Sequence, residues 1–350
     1  MPTSPTAGSF TEAQLQKVIA KIDAIWADNQ TKRDYESNVE TLTALRAEQT
    51  ARLTEIENPE KDKVIKIIWV ADCNTGVSEC DDDADLCDFT GPEAEAKSQD
   101  YALDICGSVK FSIEDNVFRT SEFSREEVLA KQMLKRMREL DEWLTQKATA
   151  KLNTFAGTNQ LTGGIGTVDG VTTYIPANYW TPDMYGYFSQ VQIINKFRNP
   201  FMLHGSNLFQ TNWLANQNSV DLNGKSAPNK MNAIRSYWDL FNIDAINSPD
   251  KVSYMIEKGA IAFANKAYYP LNNPKTYQFG KRWSIESKAL PGVFYDVYYK
   301  ERCVMDAGVE KIYHDYKITV KAGLFLNPLG CDENITGLIK FVCGTAPAES

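Results

Sequence analysis

WSIESKALPGVFYDVYYKERCVMDAGVEKIYHDYKITVKAGLFLNPLGCDENITGLIKFV, residues 283–342, is the stretch on which the fold turns. Apolar and polar positions alternate along it, the pattern of strands with one buried face. In FYDVYYK (294–300), Phe294, Asp296 and Tyr298 fall on one face, and Tyr295, Val297 and Tyr299 on the other. In YKITVKAGLFL (316–326), Ile318, Val320 and Ala322 alternate with Lys317, Thr319 and Lys321. The breaks LPG (290–292), NPLG (327–330) and ITG (335–337) separate the strands. No catalytic signature interrupts them. The stretch reads as a surface built to pair and pack.

Upstream, residues 124–156 carry the clearest helical signal. Ser124 with Glu127 is a capping box, and Val128, Met133, Leu134, Met137, Leu140, Leu144, Ala148, Leu152 and Phe155 form a sustained apolar stripe ended by Gly157. At about 1.5 Å per residue such a helix spans on the order of 45 Å. Residues 10–28 form a second amphipathic helix, with Thr11 as N-cap and Leu15, Val18, Ile19, Ile22, Ile25 and Trp26 on one stripe. Residues 31–57 are expected to continue helically to Pro59. Their stripe of Val39, Leu42, Leu45, Leu53 and Ile56 is thin, so this helix is expected to lie on a partner or in solvent.

Between these helices the character changes. Val64–Val70 reads as a strand, followed by the polar run CNTGVSECDDDADLCDFTGPEAEAKSQD (73–100). Strands are expected again at Tyr101–Ile105, Ser108–Ile113 and Val117–Thr120. A long polar excursion between strands is functional, disordered or part of a β-hairpin arm. Beyond the long helix, 158–180 is a Gly/Thr-rich connector with short strands. Helices are expected at Pro182–Lys196, Asn207–Ala215 and Met231–Leu240, strands at Phe201–His204 and Asp244–Asn247, and an apolar segment at Val252–Tyr269. The alternation predicts a compact mixed α/β or α+β domain.

The chain of 350 residues is 43% hydrophobic and 11% aromatic, enough for a sizeable core in one or two domains. The first nine residues are polar, and the apolar run Ile67–Ala71 is too short to span a bilayer. A protein made and assembled in the cytoplasm, with no membrane contact, is expected. The net charge of −9 argues against a nucleic-acid-binding module. It is compatible with a container, whose acidic wall encloses DNA without gripping it.

The C-terminal stretch also resembles a known family. Ser284, Glu286, Ser287, Leu290-Pro291-Gly292 and Tyr295-Asp296-Val297 are followed by His314, Gly323, Phe325-Leu326-Asn327-Pro328, Thr336-Gly337 and Lys340-Phe341. In order and spacing these are similar to the C-terminal part of tailed-bacteriophage major capsid proteins with the HK97-like fold. A strand-bearing arm followed by a long helix is the order in which that family places its extended loop and spine helix.

The resemblance implies an α+β fold with an N-terminal helical arm (1–59), an extended β-hairpin loop (60–123), and a spine helix with the first part of a peripheral domain (124–176). An axial domain (177–274) and the C-terminal strands of the peripheral domain (275–350) follow. It implies self-assembly into hexamers and pentamers of an icosahedral shell around double-stranded DNA, with portal, head-completion or decoration proteins as partners and the virion as location. An encapsulin-type bacterial compartment shares that fold. A phage tail or surface structural protein, β-rich and acidic, is a further reading. An enzyme is the weakest, for want of a site, and no catalytic residue or cofactor is expected.

Candidate chemistry is sparse. Cys73, Cys80, Cys87 and Cys106 form the one cysteine cluster. Their spacing departs from that of common zinc knuckles, and a metal site, disulfides and unpaired thiols all stay open. Cys303, Cys331 and Cys343 are expected to pack as small apolar residues. Asp81, Asp82, Asp83, Asp85 and Asp88 lack the glycine of a calcium loop and read as a solvated charge run. Gly163-Gly164-Ile165-Gly166 reads as a turn, and His204 and His314 as strand histidines with local hydrogen bonds.

Overall fold

The computed structural model describes residues 10–49, 53–55, 64–71, 95–120, 124–180, 184–205, 234–239, 241–247, 251–306, 309–326 and 336–346. The chain divides into two units. One comprises residues 1–43, 103–149 and 264–323, the other residues 44–102, 150–263 and 324–350.

In the first unit the expected N-terminal helix is α1 (Glu12–Ala27), with the capping box between Thr11 and Gln14 in place. Leu15, Val18 and Ile22 are buried, each by roughly 1.5–3 kcal/mol of apolar transfer. The helix expected over 31–57 is not continuous. It breaks into α2 (Asn29–Lys32) and α3 (Glu40–Ala47), and Leu53–Glu55 is strand β1. The intervening DYESN favours a turn, and Lys32 O accepts from both Tyr35 N and Glu36 N. Val39, Leu42 and Leu45 are buried within this chain, which overturns the expectation that they face a partner or solvent.

The expected long helix is α5 (Arg125–Phe155), and Ser124 Oγ accepts from Glu127 N. Met133, Leu134, Met137, Leu140, Leu144 and Ala148 are all buried. Before it come β2 (Val64–Ala71), β3 (Glu95–Ala102) and β4 (Ile105–Glu114). Val117–Thr120, expected as a strand, belongs instead to helix α4 (Asp115–Thr120). The ladder of β4 ends at Glu114, opposite Tyr313, and Asp115 lies in the first turn of α4, where a carboxylate suits the helix dipole.

Downstream strands are β5 (Thr167–Asp169), β6 (Thr172–Ile175), β7 (Phe201–His204), β8 (Arg235–Trp238), β9 (Val252–Ile256), β10 (Ile261–Asn265), β11 (Lys275–Tyr277), β12 (Gly280–Glu286), β13 (Phe294–Asp306), β14 (Val309–Leu326) and β15 (Leu338–Cys343). One sheet has the order β10-β14-β13-β12-β11, with β4 also paired to β14. The antiparallel register sorts its side chains into two faces. Val109, Ile318, Val297 and Trp283 form one inward row, and Phe111, Tyr316, Tyr299 and Lys281 the next. Phe10 stacks on Trp283 at 5.3 Å from the inner side. Gly107 lies against the Trp143 ring of α5, which a Cβ there would meet at 2.5 Å.

The opposite face carries Ser108, Thr319, Asp296 and Ser284 in one row and Lys110, Lys317, Tyr298 and Arg282 in the next. The two faces expected for residues 294–299 are therefore as the alternation has them.

The second unit contains a three-stranded sheet, β1-β2-β3, and a six-stranded sheet, β5-β6-β15-β9-β7-β8. In the latter, β6/β15 and β7/β8 are parallel and the other pairs antiparallel. Helix α6 (Met184–Ile194) packs Met184, Phe188 and Val191 against Trp180, Met202, Met255 and Phe341. Gly157 sits where its N–H donates to Leu338 O at 2.8 Å and a Cβ would meet Thr336 Oγ1 at 2.4 Å. Close approach, not a left-handed helix end, requires the glycine.

Two further expectations are corrected. Within Met231–Leu240, expected as a helix, Arg235–Trp238 is strand β8, parallel to β7, with Tyr237 edge-on to Phe201 at 5.8 Å. Pairing outranks local propensity there. Asp244–Asn247, expected as a strand, lies in helix α7 (Asn242–Asn247), and Asp239 Oδ1 accepts from Asn242 N at 3.0 Å. The helix expected at Asn207–Ala215 lies outside the described residues.

Candidate functional site

The first half of the C-terminal pattern, from Ser284 to Asp296, comes together as a clamp in the first unit. Helix α5 turns Asp141 inward, where it is 2% exposed. Its Oδ1 accepts from Ser287 Oγ at 2.9 Å and from the Tyr295 hydroxyl. Ser287 Oγ in turn accepts from Leu290 N at 3.1 Å, and Ser287 N donates to Val293 O. Glu286 accepts from Gly292 N, and Gly292 has the positive φ of 79° that this turn needs. The LPG turn is thereby fastened to the long helix through one carboxyl group. Burial pushes Asp141 up to about 7, with the hydrogen bonds from Tyr295 and Ser287 opposing it. Burial, and then Asp141 itself, raises Tyr295 well above an ordinary phenol.

A second carboxyl group holds the neighbouring strands. Asp296 Oδ1 accepts from Ser284 Oγ at 2.6 Å and from Tyr268 N at 3.1 Å, while Ser284 Oγ accepts from Tyr269 N. Residues 268–271 are thus laid over that end of the outer face. Burial raises Asp296, opposed by the Ser284 hydrogen bond.

His314 sits at the other end, 4% exposed. Tyr299 donates its hydroxyl proton to Glu301 Oε1 at 2.6 Å, so its oxygen accepts from His314 Nδ1–H at 3.0 Å. That assignment leaves Nε2 as acceptor for Arg125 Nη2 at 3.2 Å. Burial and then Arg125 lower the histidine, against the pull of Asp115, so it is neutral at pH 7. His204 is fully buried, bonded to Ser253 Oγ at 2.9 Å and pushed down to about 3 by burial. These groups answer one another; their chemistry is fastening.

The remaining sequence candidates are scattered. Cys73, Cys80 and Cys87, the aspartate run 81–88 and Cys331 lie outside the described residues. Cys106 is exposed on β4 as a free thiol. Cys303, expected to pack as an apolar residue, is exposed on β13 because it lies beyond the reach of β12, whose ladder ends at Tyr299. Cys343 is partly buried against the core of the second unit. Gly163 and Gly164 have φ of 103° and 85° and form a turn. Among the described residues no group of three or more histidine, cysteine or acidic side chains is placed to hold a metal, and no helix is long and apolar enough to cross a membrane.

Two features went unread in the sequence. Asp141 occupies a position on the apolar stripe, one turn from Met137 and Thr145, and that spacing was the available signal. The outer face of the sheet is the other. At its open end Lys110, Lys300 and Lys317 are exposed around a groove rimmed by Phe279, which is 74% exposed.

No family profile matches the chain, and no curated protein matches it. Solved structures do. The capsid structure of the cyanophage P-SCSP1u aligns with 85% of this chain and 87% of its own, at 10% identity and a TM-score of 0.48. A chain of Mycobacterium phage Adephagia aligns over 90% and 92%, at 9% identity and a TM-score of 0.47. The capsid of cyanophage A-1(L) aligns over 87% and 93%, at 12% identity and a TM-score of 0.45.

Proposed function

We propose that this chain is a major capsid protein, many copies of which form the hexamers and pentamers of an icosahedral shell around double-stranded DNA. The observation that carries the reading is the clamp. Ser287, Leu290-Pro291-Gly292 and Tyr295, quoted above for their order alone, fasten β12 and β13 to the 31-residue helix α5, while Ser284 and Asp296 tie those two strands to each other. A fold whose shared residues build a rigid frame, with β2 and β3 paired as an arm, suits a subunit whose work is mechanical.

In this reading residues 1–59 are an N-terminal arm, 60–123 the extended loop, 124–176 and 275–350 the peripheral domain, and 177–274 the axial domain. The role is structural and not enzymatic. Assembly takes place in the host cytoplasm, the finished particle is the location, and portal, head-completion or decoration proteins are further partners. Weak contacts between copies sum over a closed symmetric shell.

The test is electron microscopy and sedimentation of the expressed protein. Capsomers or closed shells are expected. A monodisperse monomer at micromolar concentration would sink the reading. Shells that form in bacteria around a protein cargo and exclude nucleic acid would favour the compartment instead.

A further inference from the structure

Two helices begin beside one buried imidazole. Asp115 is the first residue of α4 and Arg125 the first of α5, and both reach His314 on β14. Arg125 Nη2 stands 3.2 Å from Nε2 and 3.3 Å from Nδ1. Asp115 Oδ1 stands 3.4 Å from the same Nε2. From β13, the Tyr299 oxygen accepts from Nδ1 at 3.0 Å and its own proton goes to Glu301, which lies opposite His314 in register. Tyr316, two residues along β14, is buried on the same side of the sheet. The β4 strand sets uncharged Ile113 opposite the histidine, and the residue before α1 that packs here, against Tyr299, is Phe10.

This arrangement gives Nε2 two rival partners, and a proton decides between them. In the neutral ring Nε2 carries a lone pair, which accepts from Arg125. The same nitrogen and the Asp115 carboxylate are then two acceptors facing each other, a contact that becomes a hydrogen bond only with a proton between them. In the charged ring Nε2 carries that proton. It donates to Asp115 in a charge-assisted bond, and the guanidinium of Arg125 is left against a like charge at 3.2 Å. Nδ1 donates to Tyr299 in both forms, so β13 keeps its hold. The His314 side chain is 5% exposed and that of Asp115 27%, so the proton arrives from the Asp115 side.

We propose that His314 is a proton-operated exchange point, holding the start of α5 when neutral and the start of α4 when charged. Acid then loosens the first turn of the long helix while the sheet stays paired. Burial and then Arg125 lower the histidine, against the pull of Asp115 and Glu301. The folded chain therefore takes up this proton at lower pH than the unfolded one, whose ordinary value is about 6.5. The stability that the hold on Arg125 contributes is complete above that value and is lost as the pH falls through the lowered one. One proton separates the two arrangements, so their ratio changes about tenfold per unit of pH. The device works within a single chain and does not depend on the shell reading.

The test reads each histidine by itself, because Asp141 gives global stability a slope of opposite sign over part of the same range. Deuterium exchange at the imidazole Cε1–H, read by mass spectrometry after digestion of the full chain, follows the titration of each ring. The chain has two histidines, and the fully buried His204, pushed down to about 3, is the internal control. His314 is expected to titrate below about 6.5, and His204 to stay neutral over the same range. Asp115→Asn is expected to move the His314 midpoint down, and Arg125→Gln to move it up.

Backbone amide exchange is the second readout. In an α-helix the amides of Leu129 and Ala130 bond back to Arg125 and Glu126, so they report the first turn of α5. Referenced to the middle of that helix, their exchange is expected to rise about tenfold per unit as the pH falls, until the charged arrangement predominates. His314→Gln, which offers a donor and an acceptor without titrating, is expected to abolish the rise. If the variants fail to fold, the unaltered chain decides through both readouts. A His314 midpoint at or above the ordinary value overturns the proposal, and so does an Asp115→Asn midpoint that does not fall. A lowered midpoint with no change at Leu129 and Ala130 makes His314 a strand histidine alone, which also overturns it. The shell reading stands or falls separately, on the particles.

Discussion

The Tyr295 hydroxyl donates its proton to Asp141, joining β13 to the long helix through a carboxyl group that water does not reach. The pair makes the frame of the first unit respond to pH. The folded state holds a proton on Asp141 up to about 7, because burial disfavours the charge. An unfolded aspartate releases its proton near about 3.9. Between those values the folded state binds more protons than the unfolded, so stability falls as pH rises, by at most about 1.4 kcal/mol per unit from this group. Asp141→Asn, which keeps an acceptor for Tyr295 and Ser287, is expected to flatten the slope across this window. Denaturant unfolding at a series of pH values measures it, and an unchanged slope would refute the assignment. Asp141→Ala is expected to cost more, because it leaves two buried hydroxyls unpaired at about 1–3 kcal/mol each.

Gly280 opens β12 with φ at 120°, and a Cβ there would lie 2.0 Å from Tyr299 O. Both the backbone angle and the space exclude a side chain. Gly280→Ala is expected to lose the β11–β12 hairpin, with a destabilisation of about 1–3 kcal/mol from backbone strain alone. Thermal unfolding reads the loss. Gly170→Ala is the control: it also has positive φ, but a Cβ there meets open space, so it pays strain without a clash.

Leu140 is 2% exposed on the inner face of α5. Leu140→Asp would bury a charge without a partner, at a cost of several kcal/mol. Insoluble protein is expected. Lys147→Asp, on the exposed side of the same helix, is expected to stay soluble. If both variants stay soluble and assemble, the buried face of the helix is not the one described.

What could be read in advance follows from where each signal resides. The two faces of 294–299 and the stripe of α5 were legible because a period of 2 or 3.6 over many residues encodes which side is buried. The break after Lys32 and the identity of β8 were not, because each is decided elsewhere in the chain. β1 takes Leu53–Glu55 out of a helical pattern by pairing with β2, and β8 is held by its ladder to β7. The clamp was half legible. Its serines, turn and tyrosine could be quoted in order, yet the Asp141 that unites them lies 146 residues from Ser287. The basic groove belongs to three strands at once, and no single window of sequence contains it.

Exposed thiols give the last prediction. Cys106 on β4 lies opposite Lys321 of β14, while Cys303 on β13 lies opposite Ile312 of the same strand. Those two positions are nine residues apart along β14, or roughly 30 Å at about 3.3 Å per residue. A disulfide needs Cα atoms about 4.4–6.8 Å apart. Cys106 and Cys303 therefore cannot bond within one folded chain, and both are free to meet a thiol of another. Cys343 differs, because it is partly buried and burial raises its thiol, so it holds less of the reactive thiolate. With a thiol reagent under native conditions, Cys106 and Cys303 are expected to label first and Cys343 last. Mild oxidation is expected to give species on a non-reducing gel that run as multiples of the chain, and Cys303→Ser to remove those that depend on the hairpin. Peptide mapping of an isotopically mixed sample completes the test. A Cys106–Cys303 link formed within a single chain would contradict the register of β4, β14 and β13 on which the sheet is built.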